Sequence, residues 1–246
     1  MNSMTRSMLA LLLVLFISCA IPGSARETPS TYSESYAIII KGAVAGSETV
    51  TEKAEPGGEV TATSQHEMLI TDGLETKRMQ FSTRMTLSKK TGIPSSYSCW
   101  YTSGGTGDSY EVTIKDRQIT RILNRGGHTS QITVPLEPDM VFLDFNVYHQ
   151  YSYLIRRYDF KKRGRQTFAD FIPVIGNDIP IALTYLGDSS FDLKAGALPV
   201  RNLRIDFVGI WSGTVSVDKE GRLVRLAIPS QDLEVVRRDL AETSKG

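Results

Sequence analysis

Strict alternation of apolar and polar residues is the feature that most limits what this chain can become. Met79, Phe81, Met85 and Leu87 fall on one side of an extended segment, with Arg78, Gln80, Ser82, Arg84 and Thr86 on the other. Tyr110, Val112 and Ile114 alternate with Glu111, Thr113 and Lys115; Ile181, Leu183 and Tyr185 alternate with Ala182 and Thr184; Leu203, Ile205 and Phe207 alternate with Arg204 and Asp206. A period of two gives each strand one dry and one wet face, which is the pattern of antiparallel sheet. Turn-forming pairs separate the segments: Glu55-Pro56-Gly57-Gly58, Asp72-Gly73, Gly104-Gly105, Gly126-Gly127, Gly187-Asp188 and Asp218-Lys219-Glu220-Gly221. The count is about a dozen strands. No 20–50-residue period repeats, so a propeller or solenoid is excluded.

One stretch breaks the rhythm. From Pro138-Asp139, Phe142, Phe145, Tyr148 or His149, and Ser152 fall at three- to four-residue steps, beside an apolar stripe of Leu143, Val147, Tyr151 and Leu154. This spacing predicts a helix of about four turns, capped by Asp139 and ending near Arg157, with Arg156 and Arg157 at the negative dipole end. A lone helix within a long run of strands must bury its apolar stripe, and a curved sheet wrapped around it does so most simply. The expected fold is therefore mainly β: antiparallel strands in a curved, spiral or half-open barrel around one central α-helix.

The first 25 residues have a different character. Arg6 is their one charge, followed by the apolar run Met8 to Ile17 and the small residues Gly23 and Ala25. These are the parts of a secretory signal cut after Ala25, and the run is shorter than the roughly 20 residues a bilayer span needs. Phe16-Ile17-Ser18-Cys19 supports a second reading, a lipobox whose Cys19 carries a lipid anchor. The expected plan is a signal at 1–25, a flexible segment at 26–35, one barrel-like domain at 36–238 and a tail at 239–246. The protein is expected in the periplasm, or, on the second reading, anchored as an outer-membrane lipoprotein. Of 28 basic and 27 acidic residues, removal of the leader takes only Arg6, leaving a balanced chain with no general attraction for nucleic acid. Cys99 is then the one remaining thiol, so no internal disulfide forms and stability must come from a core.

Candidate chemistry is sparse. Ser98-Cys99-Trp100 is similar to the nucleophile segment of papain-like proteases, but it reads as a strand, Ile93 replaces the oxyanion glutamine, and no suitably placed His follows. Ser103-Gly104-Gly105-Thr106-Gly107 lacks the Lys and Ser/Thr of a phosphate loop. His66, His128 and His149 share no ligand spacing, so no metal is expected, and nothing points to a cofactor. A glycosidase-type hydrolase needs two convergent acids, and Asp144, Asp159 and Asp170 around the helix are the ones to test. Arg156, Arg157, Lys161, Lys162, Arg163 and Arg165 form a concentrated positive stretch opposed by Asp159. It reads as a solvated loop or as an anion site for a lipid head group or acidic partner. Met79, Phe81, Met85 and Leu87 read as ordinary core or as an apolar groove for acyl chains.

Several segments together resemble a family of exported bacterial proteins described as curved, spiral β-barrels. They are Tyr36-Ala-Ile-Ile-Ile-Lys-Gly42 with Ala45-Gly46, Leu143-Asp144-Phe145-Asn146 running into His149, Tyr151 and Leu154-Ile-Arg-Arg-Tyr-Asp159, Gly164-x-Gln166-x-Phe168 with Ile172-Pro173, and Gly221-Arg-Leu-Val-Arg225 with Pro229-x-Gln231. The resemblance implies a sheet rolled around a central helix, akin to lipoprotein-carrier half-barrels and envelope-integrity spiral barrels, which bind acyl chains or peptides without known catalysis. The resulting expectation is a non-catalytic envelope protein that binds a hydrophobic or amphiphilic ligand or an envelope partner protein, does not span the membrane, and has two alternatives: a polysaccharide hydrolase and a structural scaffold. Radiolabelled palmitate separates the two leader readings: soluble export predicts no incorporation, and label that disappears in Cys19→Ser would establish the anchor.

Overall fold

The alternating segments pair largely in the order in which they are written. The computed structural model describes residues 30–55, 57–72, 75–193 and 196–241; Cys19 and the leader lie outside these. Eight strands run as a meander: β1 (Thr31–Ile40), β2 (Ala43–Ala54), β3 (Glu59–Asp72), β4 (Glu75–Ser88), β5 (Pro94–Ser103), β6 (Thr106–Lys115), β7 (Gln118–Arg125) and β8 (His128–Pro135). A short β9 (Val141–Phe142) and helix α1 (Gln150–Arg156) follow. A second meander is built from β10 (Arg165–Ile172), β11 (Asn177–Leu193), β12 (Gly196–Phe207), β13 (Trp211–Val217), β14 (Leu223–Ile228) and β15 (Leu233–Arg237), ending in a single helical turn α2 (Arg238–Ala241). Antiparallel pairing of β1 with β15 joins the two meanders into one 15-stranded sheet whose outer strands are β8 and β9.

A sheet this wide cannot stay flat, because strand twist accumulates and open sheets beyond about ten strands curl. Here the curl brings the far ends together. The β10–β11 turn presses on the inner face of β7 and β8, where a Cβ at Gly176 would lie 2.5 Å from Ile132 and 2.6 Å from the Arg121 guanidinium. No hydrogen-bonded ladder links β8 to β9, so the barrel stays open. Its hollow is filled by α1 and the residues before it: Leu143, Leu154 and Ile155 are buried among inward residues of both meanders. Each such aliphatic side chain contributes roughly 1.5–3 kcal/mol on burial.

Four expectations are corrected. The helix has two turns, not four, and begins at Gln150; Asp139 caps nothing, and residues 141–142 instead form a parallel pair with β10. The cause is a competition for backbone donors. The N–H of Leu143 bonds to Asp170, that of Asp144 to Gln150, that of Phe145 to the Asp144 side chain, and those of Tyr148 and His149 to Glu48. With those donors engaged by side chains, and Asn146 in the left-handed region (φ 63°), no α-helical ladder can form before residue 150. Fifteen strands replace the expected dozen. Residues 31–35, expected to be flexible, are the first half of β1. Asp239, placed in a tail, is held by Arg237 at 2.9 Å at the start of α2. No helix of the described residues is long and apolar enough to cross a membrane.

Strands β1, β2 and β3 press closely where β2 bulges at Ala45, opposite Ile38 and Ile39. A Cβ at Gly46 would stand 2.1 Å from the Glu67 carbonyl oxygen, so only glycine lets β3 approach. Gly46→Ala is expected to destabilise the protein by about 1–3 kcal/mol in urea unfolding, the usual cost of overpacking. An unchanged midpoint would show that the strands separate freely.

Candidate functional site

Two constellations hold the chemistry-bearing residues, one inside the curl and one at its surface. The interior one starts from register. Tyr36, Glu48, His66, Phe81 and Tyr101 are successive cross-strand partners on the inner face of β1 to β5. Glu48 and His66 occupy the parity that elsewhere carries Val50, Ala62 and Met68, so both are drawn inside and buried. Glu48 meets the central segment: one oxygen accepts the N–H groups of Tyr148 (3.0 Å) and His149 (3.1 Å), and the other accepts His149 Nδ1–H at 2.7 Å. Burial alone would raise the Glu48 carboxyl, but the His149 ring, its hydrogen bonds and nearby His66 outweigh that and hold it below its usual range. His66 donates from Nδ1 to the Asn146 carbonyl at 2.6 Å, and burial lowers its pKa, favouring the neutral ring.

Asp144 and Asp170 are the second part of the interior. Asp144 accepts hydrogen bonds from the hydroxyls of Tyr97 (2.8 Å) and Tyr110, which project from β5 and β6. Asp170, on β10, accepts the Leu143 N–H at 2.8 Å, while its second oxygen is buried without a partner among the described residues. Burial raises both carboxyls, Asp144 to about 6 and Asp170 well above the ordinary value, with Asp144 adding to the rise of Asp170. Asp159, the third acid singled out from sequence, lies apart: its Oδ1 accepts the N–H groups of Lys161 and Lys162. The interior acids thus hold backbone and tyrosines in a closed core; neither they nor Asp159 line any of the pockets described below. Cys99 is buried beside them, its thiol pushed up to about 12 by burial. Among the described residues no group of three or more His, Cys, Asp or Glu is placed to hold a metal.

The surface constellation is the basic stretch, and folding divides it. Arg156 leans over the Tyr153 ring and towards Glu52 at 3.8 Å. Arg157 is drawn inward, donating to the Met140 carbonyl at 2.9 Å, and Arg165 faces Asp206 at 3.5 Å. Lys161, Lys162 and Arg163 remain exposed on the loop between α1 and β10, and none of them forms an ion pair with a described residue. That loop is firmly built. Gln166 Oε1 accepts the Asp159 N–H at 2.9 Å, and its Nε2 donates to the Asp159 carbonyl at 2.8 Å. Tyr158 donates to the Gly164 carbonyl at 2.7 Å. Arg163 and Gly164, both at positive φ, reverse the chain, and the Arg163 guanidinium lies 5.6 Å over the Tyr185 ring. Next to it, Arg201 stacks on Phe160 at 4.6 Å and lines a surface cavity of about 230 Å³ with Asp188, Pro199 and Lys219.

The Met79, Phe81, Met85 and Leu87 face lies on the inner side of β4. Phe81, Met85 and Leu87 are buried in the core, Phe81 stacked between Tyr101 and the His66 ring, and Met79 packs against their edge. Sequence reasoning missed Glu48 and Gln150, and held Gln166 only as part of a resembling segment, without its clamping role. Glu48 was detectable as an acid at an inward parity; the glutamines carry no local signal, because their partners are the backbone of distant or turning segments.

The site therefore belongs to an open β-barrel plugged by its own central segment. No family model matches the chain, and no curated protein gives a significant match. Two crystal structures are similar in fold. A beta-barrel-like protein of domain of unknown function DUF1849 from Brucella abortus superposes with a TM-score of 0.54 at 7% identity, covering 85% of this chain and 94% of that one. A DUF1089 family protein from Pseudomonas aeruginosa gives 0.48 at 12% identity, covering 90% of this chain and 97% of that one. The first likeness establishes the barrel-like fold.

The raised carboxyls make a signed prediction. An acid whose folded pKa lies above its unfolded one binds its proton more tightly when folded. Its favourable contribution is complete below the unfolded value and is lost as pH rises through the folded one. For Asp144 that window runs from 3.8 to about 6, and for Asp170 it extends higher. Asp144→Asn keeps an acceptor for the tyrosines and removes the titration. Between pH 4 and 7 the wild type should lose on the order of 3 kcal/mol relative to this variant in chemical denaturation. A difference independent of pH would contradict the assignment.

Proposed function

We propose that the protein is a non-catalytic binding protein of the bacterial cell envelope, exported to the periplasm, that takes an anionic amphiphile at the loop carrying Lys161, Lys162 and Arg163. The observation that supports this most is the division of labour within the basic stretch. Arg156, Arg157 and Arg165 meet acids or a carbonyl, whereas Lys161, Lys162 and Arg163 meet no acid among the described residues and sit on a loop fixed by Gln166, Tyr158 and Asp159. A fixed cluster of cations in a chain of balanced charge binds anions without ordering itself first, which lowers the cost of association. The flanking rings of Phe160 and Tyr185 give the loop an apolar shoulder suited to the first methylenes below a phosphate head group. A filled barrel interior further favours a ligand taken at the surface over one swallowed whole. The leader supports export, with Cys19 anchoring as the alternative route to the outer membrane.

Sedimentation with phosphatidylglycerol-containing vesicles tests the reading against phosphatidylcholine vesicles. Each cation near an anionic surface contributes about 1 kcal/mol, so Lys161→Gln/Lys162→Gln/Arg163→Gln should weaken retention on the order of a hundredfold. Retention equal to wild type, or equal binding to neutral vesicles, would remove the proposal.

A further inference from the structure

We infer that the outer face of β3 to β6 carries a second site, a trough that binds a neutral oligosaccharide over Trp100. Parity creates it. Because Tyr97, Cys99 and Tyr101 point into the core, Trp100 must point out, and it is 49% exposed. Two neighbouring cross-strand rows surround it. One runs Gln65, Ser82, Trp100, Ser109; the other runs Thr63, Arg84, Ser98, Glu111. Large and small side chains alternate between the rows like a chequerboard, so serines form a floor and Gln65, Arg84, Trp100 and Glu111 stand as walls. The hollow measures about 410 Å³, within the range of small-ligand sites.

Each wall offers a different contact. The indole edge lies beside Gly107, with Nε1 in ordinary contact range of that residue's Cβ position at 3.6 Å, and the ring stays half exposed. Arg84 and Glu111 flank Ser98 from two strands apart, roughly 10 Å at the backbone, and make no ion pair with each other or with any other described residue. One donor-only and one acceptor-only group therefore face each other across a floor of hydroxyls that can do both. Gln65 is oriented by its bond to Ser82 at 2.9 Å.

These features select a class of ligand. The two opposite charges cancel, so the trough offers no net attraction for a phosphate or a basic peptide. An acyl chain would strip water from Arg84, Glu111 and the serines without replacing their hydrogen bonds. A pyranose fits the set: its C–H face covers an aromatic plane, while its hydroxyls both donate and accept around the rim. This site lies on different strands from the basic loop, and the inference does not depend on the vesicle-binding reading.

The test is calorimetric titration of the full-length mature protein with maltohexaose, cellohexaose and chitohexaose, with tryptophan emission followed in parallel. At least one glycan should bind saturably and shift the emission. Trp100→Ala should weaken that binding about tenfold or more, and Glu111→Gln should weaken it with an unchanged melting temperature. Absence of saturable binding across all three, or binding that survives Trp100→Ala unchanged, would overturn the inference.

Discussion

Backbone N–H groups of the central segment bond to carboxylates that reach in from the surrounding sheet, and the rest of the architecture depends on this. Glu48 from β2 receives Tyr148 and His149, and Asp170 from β10 receives Leu143. Asp144, on the segment itself, receives Tyr97 and Tyr110 from β5 and β6. Glu48 is held below its usual range and so bonds as a charged group, each such bond contributing about 1.5–3 kcal/mol net, and removing either partner of any of these bonds leaves the other buried and unsatisfied. These bonds fix an irregular segment where a helix would have satisfied itself. They fix it to both meanders, so the segment acts as a strut between the halves of an open sheet. Barrels are usually completed by closing the ladder; this one is completed from within.

A strut in the hollow has a functional consequence. In a carrier, the concave side must be free to admit its cargo, but here that side is lined by Phe81, Met85 and Leu87 packed against the core. On the proposed reading, recognition falls to the parts of the molecule that the core holds rigid from beneath. The loop at 159–164 is one such part. Gln166 and Tyr158 bind its backbone, so its cations project from a frame rather than from a flexible connection. The trough over Trp100 is another, because a sheet whose inner face is fully packed presents an outer face of fixed relief.

The fold was legible where the chemistry is repetitive. Inward parity in β4, β6, β11 and β12 follows directly from Phe81, Tyr110, Leu183 and Ile205, because burial of one face enforces period two. Legibility fails where side chains take over the role of backbone. The apolar spacing from Phe142 to Leu154 is that of a helix, yet Glu48 and Asp170 lie about a hundred and about thirty residues away in sequence and claim the donors a helix would use. No window of local sequence contains that competition. The same limit explains the basic stretch: six cations are adjacent in the chain, but Met140, Glu52 and Asp206 come from elsewhere and engage half of them. Gln166 belongs to the segments that resemble spiral-barrel proteins, and its role in clamping the loop shows why such a motif can be structural while framing a site.

Amide hydrogen exchange tests the strut most directly. If the carboxylates of Glu48 and Asp170 hold the central segment, the N–H groups of Leu143, Tyr148 and His149 should exchange as slowly as those of the central strands β1 and β15, although none lies in a regular helix or in a ladder like theirs. Exchange at the rate of the exposed 159–164 loop would mean that the segment opens independently and the hollow is accessible, and the account of a barrel filled by its own chain would be wrong.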